Sequence, residues 1–493
     1  MSSHEVQLEL LAITIEARTG YKWVPTLTRY GTGSVVLVFD TQGSPPYVAC
    51  KIILEPLEGG RLRIFLREIM RTLKAQGHPL IVGVSIVTPI ANPPMVVPRP
   101  AIFMQYCEKN LREYILEKGK LKIYEALILA TQIVRGLLYL KQRSFIAHQD
   151  LKPENILLQD ICERFGRERL PQELCYRPKI ADFGLANAWL EAGIPGGSNP
   201  YKAPEQFTKG FSKKMVEELY REGLFNPDVF ALGAILTEML TGKHPSGISS
   251  SEVMKNEIAG NSSFWREWSI NGERIIDVED IELRQLILRM LNPNPKLRPS
   301  LEEIYTELLK ILRNINPNLY EQVEILIKYY DERAQSFEEL LGDVATLRDL
   351  INLVKLPEAK EVIDEYIQYL KERLQEFEPP KRVEDVHRYA RIWSTIGEVL
   401  AFLDLNRYRD EIKRIGVEVL NTVVQWLDKI RPEHTLLKIK MTDDEAKAEV
   451  LGEPLSILEK VMSEEELDKF VFGGYNDYVK ALYLYYKASK YNI

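Results

Sequence analysis

His148-Gln149-Asp150-Leu151-Lys152-Pro153-Glu154-Asn155 is the stretch on which the reading of this 493-residue chain turns. It lies behind a long amphipathic run and ahead of the apolar Ile156-Leu157-Leu158. Moving a phosphoryl group onto a hydroxyl needs a carboxylate that orients the acceptor and takes its proton, a cation beside the moving group, and an oxygen ligand for Mg2+. Asp150, Lys152 and Asn155 put these three groups in one loop. The alternative is a polar surface loop that carries an Asp and an Asn by accident, and eight consecutive suitable positions weigh against it.

Outward from this loop, the chain changes character on either side. From about Leu27 to Gln105 it reads as short β-rich runs such as Ser34–Phe39 and Pro46–Leu54, with one amphipathic helical stretch from Arg61 to Ala75. Beyond Leu121 helical periodicity takes over, interrupted between about Phe145 and Pro204 by a loop-rich region of the kind that carries chemistry. After Leu312 the chain reads as almost wholly helical: Leu347, Leu350, Ile351 and Val354 keep helical spacing, as do Val362, Ile363, Tyr366, Ile367, Leu370 and Leu374.

The octapeptide resembles the catalytic loop of the eukaryotic-like protein kinase family in its Ser/Thr form, where His-Arg-Asp is followed by Leu-Lys-Pro-Glu-Asn. Further motifs follow in the family's order. Asp182-Phe183-Gly184 is similar to the metal-binding tripeptide, which implies Mg2+ on Asp182 and Asn155. Ala203-Pro204-Glu205 resembles the end of the activation segment, and Arg298 is placed like the arginine that pairs with that Glu. Asp228, which opens an apolar helix, is placed like the family's anchor for the catalytic-loop backbone; taken alone it reads equally as a helix N-cap.

In the amino-terminal part, Tyr30-Gly31-Thr32-Gly33-Ser34 is similar to the loop that covers the phosphates, with Gly31 and Gly33 present and Val36 where a third glycine is usual. By the same resemblance Lys51 would hold the α- and β-phosphates and Glu68, in the Arg61–Ala75 helix, would hold Lys51. Met104 is placed as gatekeeper, with the backbones of Gln105 and Cys107 facing the adenine and Val38, Ala49 and Leu157 sandwiching it.

The resemblance implies an α+β, bilobal kinase fold over residues 25–312, preceded by an N-terminal extension over 1–24, and the helical periodicity beyond it gives an all-α C-terminal domain over 313–493. It implies a protein serine/threonine kinase that uses ATP and Mg2+, with protein substrates. Lys51, Asp150, Asn155 and Asp182 are all present, which argues against a pseudokinase scaffold. Lys152-Pro153-Glu154 and Ala203-Pro204-Glu205 argue against a kinase of small molecules.

Two departures bear on control. Gln149 stands where many family members have an arginine that meets a phosphorylated activation segment, and Leu185–Gly197 contains no Ser, Thr or Tyr. Ser198 is then the first hydroxyl, placed like the Thr that contacts the catalytic Asp and Lys. Activity is therefore expected to need no phosphorylation of this segment.

Composition narrows the partners. With 45% hydrophobic and 27% charged residues the chain should fold, and a net charge of −7 without a basic block excludes neither class outright but makes nucleic acid and anionic membranes poor candidates. Glu5 and Glu9 occupy the region where a secretory leader would be basic, so a cytoplasmic protein is expected. The four cysteines are then expected to be reduced thiols, including Cys162 and Cys175 in a charged insertion between Leu158 and Lys179. Trp393, Ile396, Gly397 and Leu400 loosely resemble a tetratricopeptide helix pair, but no second copy appears at a period of about 34 residues, so a unique bundle able to bind a protein partner is expected.

Overall fold

A computed structural model of the chain describes residues 3–31, 34–43, 45–53, 60–90, 99–145, 147–162, 170–186, 196–207, 213–334, 357–376, 379–436 and 440–491. Helix α1 (Ser3–Thr19) leads into strands β1 (Lys22–Trp23), β2 (Arg29–Gly31), β3 (Ser34–Asp40) and β4 (Tyr47–Ile53). Helix α2 (Gly60–Ala75), β5 (Val84–Ile90) and β6 (Arg99–Gln105) follow, giving a sheet in the order β1-β3-β4-β6-β5 with β2 paired to β3. β1 and β2 both run antiparallel to β3. Val35, Leu37, Val38 and Phe39 are buried along β3, so the second half of the strand is covered on both faces.

A second, three-stranded sheet follows. It is built from β7 (Lys109–Asn110), β8 (Ile156–Asp160) and β9 (Tyr176–Ile180), all antiparallel, with Ile156 opposite Ile180 and Asp160 opposite Tyr176. The helices around it are α3 (Leu111–Lys118), α4 (Ile123–Gln142), α5 (Lys213–Arg221), α6 (Pro227–Thr241), α7 (Ser262–Asn271), α8 (Ile281–Met290), α9 (Leu301–Ile315) and α10 (Pro317–Ala334). α4 is long and apolar enough to cross a membrane by composition, yet its Leu127, Ile128, Ala130 and Val134 are fully buried against the core with Phe230, Leu232 and Ile235 of α6. Asn110 caps α3 with a reciprocal Glu113 bond, and Ser300 does the same for α9 with Glu303.

The chain divides into two compact units: residues 1–51, 64–84 and 103–334, and residues 52–63, 85–102 and 335–493. The first therefore runs past residue 312, where the sequence suggested a boundary. The reason is packing: Leu319, Val323, Ile327 and Ala334 of α10 bury into the same core as α4 and α9. Polar contacts reinforce it, since the Asp331 carboxylate accepts from Arg135 Nε at 2.8 Å and from His78 Nε2 at 3.2 Å, His78 Nδ1 being occupied by the Leu80 N–H.

In the second unit, α11 (Pro357–Glu376), α12 (Val386–Trp426), α13 (Asp443–Leu458), α14 (Glu464–Gly474) and α15 (Asp477–Tyr491) are helical, as expected from periodicity. α12 is kinked at Asp404, whose backbone leaves the helical region. Trp393, Ile396, Gly397 and Leu400 all lie on α12 ahead of that kink. Gly416 lets α13 come close: a Cβ there would sit 2.6 Å from Leu458 Cδ2. The periodic run Leu347–Val354 lies outside the described residues.

One expectation is overturned. Cys162 and Cys175 form a disulfide, with Cα atoms 5.0 Å apart, rather than two free thiols. The register explains it: pairing of Asp160 with Tyr176, continued by the Ile161 N–H to Cys175 carbonyl bond at 2.8 Å, brings the two residues within bridging range. Cys50 and Cys107 are free and buried.

His244 is the most perturbed imidazole in the first unit. It sits between the Trp265 and Trp268 rings, with Nε2–H donating to the Pro200 carbonyl at 2.9 Å and Nδ1 accepting from the Ser246 N–H at 3.1 Å. Burial holds its pKa down at about 3. An unfolded histidine titrates near about 6.5, so between these values the unfolded chain binds a proton that the folded chain does not, and stability falls as pH drops through that window, by up to about 1.4 kcal/mol per pH unit. Chemical denaturation of the protein and of His244→Gln across this range should show a shallower slope in the variant; equal slopes would remove His244 as the cause.

Candidate active site

The catalytic loop is held from below by a buried acid. The Asp228 carboxylate, at the first turn of α6, accepts the His148 N–H at 2.6 Å and the Gln149 N–H at 2.9 Å. Burial raises its pKa, against the opposing pull of these N–H groups and of His148. Gln149 takes a left-handed backbone (φ 68°), a conformation that costs energy in a non-glycine residue and is kept where the surroundings over-determine it. The His148 ring meets Phe183 edge-on at 5.2 Å, and its Nε2 lies 3.0 Å from the Ala181 carbonyl oxygen. The turns carrying Asp150 and Asp182 are thereby locked together.

Asp150 ends up with its two oxygens in different settings. Oδ1 accepts the Ser198 N–H at 2.7 Å, while Oδ2 lies 3.2 Å from Lys152 Nζ. Lys152 Nζ also donates to Ser198 Oγ at 2.9 Å. Asn155, in the short 3-10 turn Pro153–Asn155, donates from Nδ2 to the Asp150 carbonyl at 2.8 Å and to Asp150 Oδ2 at 3.3 Å, which fixes Oδ1 as the acceptor end of its amide. Asp150, Lys152, Asn155 and Ser198 are therefore one cluster.

The β8–β9 hairpin brings the second acid to it. The Ala181 N–H donates to the Asn155 carbonyl at 2.9 Å, and Asp182 follows in a left-handed conformation (φ 66°). The Asp182 carboxylate is 3.6 Å from Lys51 Nζ, and Lys51 Nζ is 2.6 Å from Glu68 Oε1. Burial works against the Lys51 ammonium, but the Asp182 and Glu68 carboxylates outweigh it and hold its pKa above the ordinary lysine range. The same Lys51 charge, opposed by burial and aided by His148 and Lys152, holds the Asp182 carboxyl below the usual range, so it is ionised at neutral pH.

The remaining sequence-derived positions are distributed as follows. Val38 on β3 and Ala49 on β4 are buried, and Leu157 is half-buried on the face of β8 opposite to the core residues Ile156 and Leu158. Met104 and Gln105 end β6, and the Gln105 N–H is taken by the Gly83 carbonyl at 3.0 Å, so the backbone of Gln105 can offer only its carbonyl. Cys107 is buried, and burial pushes its thiol up to about 12, so it is no nucleophile at neutral pH. Gly31 pairs with Ser34 at the end of the β2–β3 ladder; Gly33 lies outside the described residues.

Arg298 and Glu205 meet as a bidentate pair at 2.5 and 2.8 Å with both side chains fully buried. Two residues that the sequence did not single out also shape the site. Arg71, one turn after Glu68 on α2, donates to the Gly184 carbonyl at 2.5 Å and so ties that helix to the turn after Asp182. Its signal was the shared helix face three residues on from Glu68. Gln206 bonds to the catalytic loop and to Gly196. No local pattern marks it.

Comparison with known proteins identifies the family. Residues 26–309 match the family model for the protein kinase domain. The chain is 32% identical over 223 residues to the interferon-induced, double-stranded RNA-activated protein kinase of Mus musculus, covering 44% of this chain and 35% of the relative. It is 31% identical over 175 residues to the serine/threonine-protein kinase PrkC of Bacillus subtilis (34% and 23%), and 27% identical over 326 residues to the probable serine/threonine-protein kinase MARK-A of Dictyostelium discoideum (62% and 27%). The chain thus spans about a third of the length of the curated relatives it matches.

Proposed function

The chain belongs to the eukaryotic-like Ser/Thr protein kinase family, and from that premise we propose that it transfers the γ-phosphoryl group of Mg-ATP to protein hydroxyls without phosphorylation of its own activation segment. The observation that carries this reading is that the contacts Glu68–Lys51–Asp182 and the cluster Asp150–Lys152–Asn155–Ser198 are tied together by the Ala181 N–H, next to Asp182, donating to the Asn155 carbonyl at 2.9 Å. Its donor set suits a hard divalent cation, because the Asp182 carboxylate and the Asn155 amide oxygen both offer oxygen donors. They would hold Mg2+, which supplies charge neutralisation on the phosphates when bound.

The protein's own groups have separable tasks. Lys51, fixed by Glu68, holds the nucleotide phosphates. Asp150 holds the Ser198 N–H on Oδ1 and, on Oδ2, which Lys152 Nζ and Asn155 Nδ2 approach at 3.2 and 3.3 Å, takes the proton of the acceptor hydroxyl. The acceptor class follows from Ser198, which bridges Asp150 and Lys152.

Radiolabel transfer from γ-labelled ATP to a generic basic protein, set against a panel of sugars and aminoglycosides, tests the substrate class. Phosphatase-treated enzyme is expected to keep its rate within about twofold. A loss restored by rephosphorylation of Ser198 would contradict phosphorylation-independence.

A further inference from the structure

Gln206 is 3% exposed, and its carboxamide is used at both ends. Oε1 accepts the Ala203 N–H at 3.0 Å, while Nε2 donates to the Gln149 carbonyl at 2.7 Å and to the Gly196 carbonyl at 2.6 Å. One donor and two acceptors surround the amide, which fixes which end is oxygen and which nitrogen. The side chain therefore bridges the residue before Asp150 and the stretch that leads into Ser198.

The fit is close. Gly197 has φ +133°, and a Cβ there would lie 2.6 Å from the Gln149 carbonyl oxygen and 3.0 Å from Gln206 Nε2. Gly196–Ser198 is thus pressed onto the catalytic loop at a place that admits no side chain, and its register is set by the bonds from Gln206. From that register Ser198 reaches Asp150 and Lys152.

We propose that Gln206 is a positioning residue: its neutral carboxamide holds Gly196–Ser198 against the catalytic loop, where a family member with arginine before the catalytic Asp would depend on a phosphate. This rests on the phosphorylation-independent kinase reading above. A carboxamide bonded to two carbonyls needs no modification to act, so the alignment of Ser198 is a property of the chain as synthesised.

The test compares Gln206→Leu and Gln206→Glu in the full-length chain. Gln206→Leu removes both donated bonds and the accepted one. Its kcat/KM for a peptide substrate should fall about 10- to 100-fold, as expected for a misplaced reacting group, while the KM for ATP, set by Lys51 and Glu68, stays within about twofold. Gln206→Glu keeps the acceptor for Ala203 but sets a carboxylate against two carbonyl oxygens, and only its protonated form can donate. Its activity relative to the unmodified enzyme should therefore rise several-fold as pH is lowered from about 8 to about 6, while the Gln206→Leu ratio stays flat.

A role confined to stability would move unfolding temperatures without separating these pH profiles. The proposal is overturned if both variants keep peptide kcat/KM within about twofold of the unmodified enzyme, or if Gln206→Glu tracks its pH profile. Should Gln206→Leu fail to fold, the pH ratio of Gln206→Glu decides alone. Phosphatase treatment of the unmodified enzyme is the separate arm: loss of activity there sinks phosphorylation-independence, whereas a flat Gln206→Glu ratio in a phosphatase-indifferent enzyme sinks Gln206 alone.

Discussion

Asp150→Ala should reduce phosphoryl transfer by about 10²- to 10⁴-fold while leaving nucleotide affinity nearly unchanged, because a positioned general base contributes at that scale and Asp150 is not placed among the groups that hold the phosphates. Its Oδ1 and Oδ2 lie against the Ser198 N–H and Lys152 Nζ, on the acceptor side of the site. Lys51→Ala, by contrast, should damage both quantities, since it removes the partner of Glu68 and Asp182 and leaves two carboxylates facing each other. Single-turnover transfer together with equilibrium nucleotide binding separates the two. Turnover retained in Asp150→Ala would remove Asp150 as the catalytic carboxylate.

The second large effect is on stability. Arg298→Met leaves the Glu205 carboxylate buried and without its bidentate partner, and breaking a buried pair in this way costs about 3 to 5 kcal/mol. For a unit of this size that is a fall of roughly 5 to 8 °C in the unfolding midpoint. Glu205→Leu added to Arg298→Met should recover most of the loss, because a well-packed apolar pair carries no desolvation penalty. Calorimetry on the single and double variants decides it: a cost below about 1 kcal/mol for Arg298→Met would mean that Glu205 finds another partner or water.

What the sequence disclosed depended on how local each feature is. Asp150, Lys152 and Asn155 act from one short loop, so their identities and spacing are the signal. The pairing of Lys51 with Glu68 was reachable because Glu68 is the only acid in its helical stretch. Gln206 was invisible for the opposite reason: its partners are the carbonyls of Gln149 and Gly196, and a backbone carbonyl carries no residue identity. Cys50 and Cys107 are the free thiols expected, but number and expected compartment misled for Cys162 and Cys175, whose meeting is decided by hairpin register. The place where the first unit ends was likewise hidden, since helical periodicity continues from α9 into α10 and only tertiary packing shows which core the later turns fill.

That last point has a practical edge. The recognisable kinase homology stops at residue 309, yet Asp331 is the acid that His78 and Arg135 share, and His78 sits in the bend just after the helix bearing Glu68. Trimming the gene to the homology would strand an imidazole and a guanidinium beside a newly bared greasy stripe. Anyone isolating the catalytic piece should let the scissors fall after Ala334.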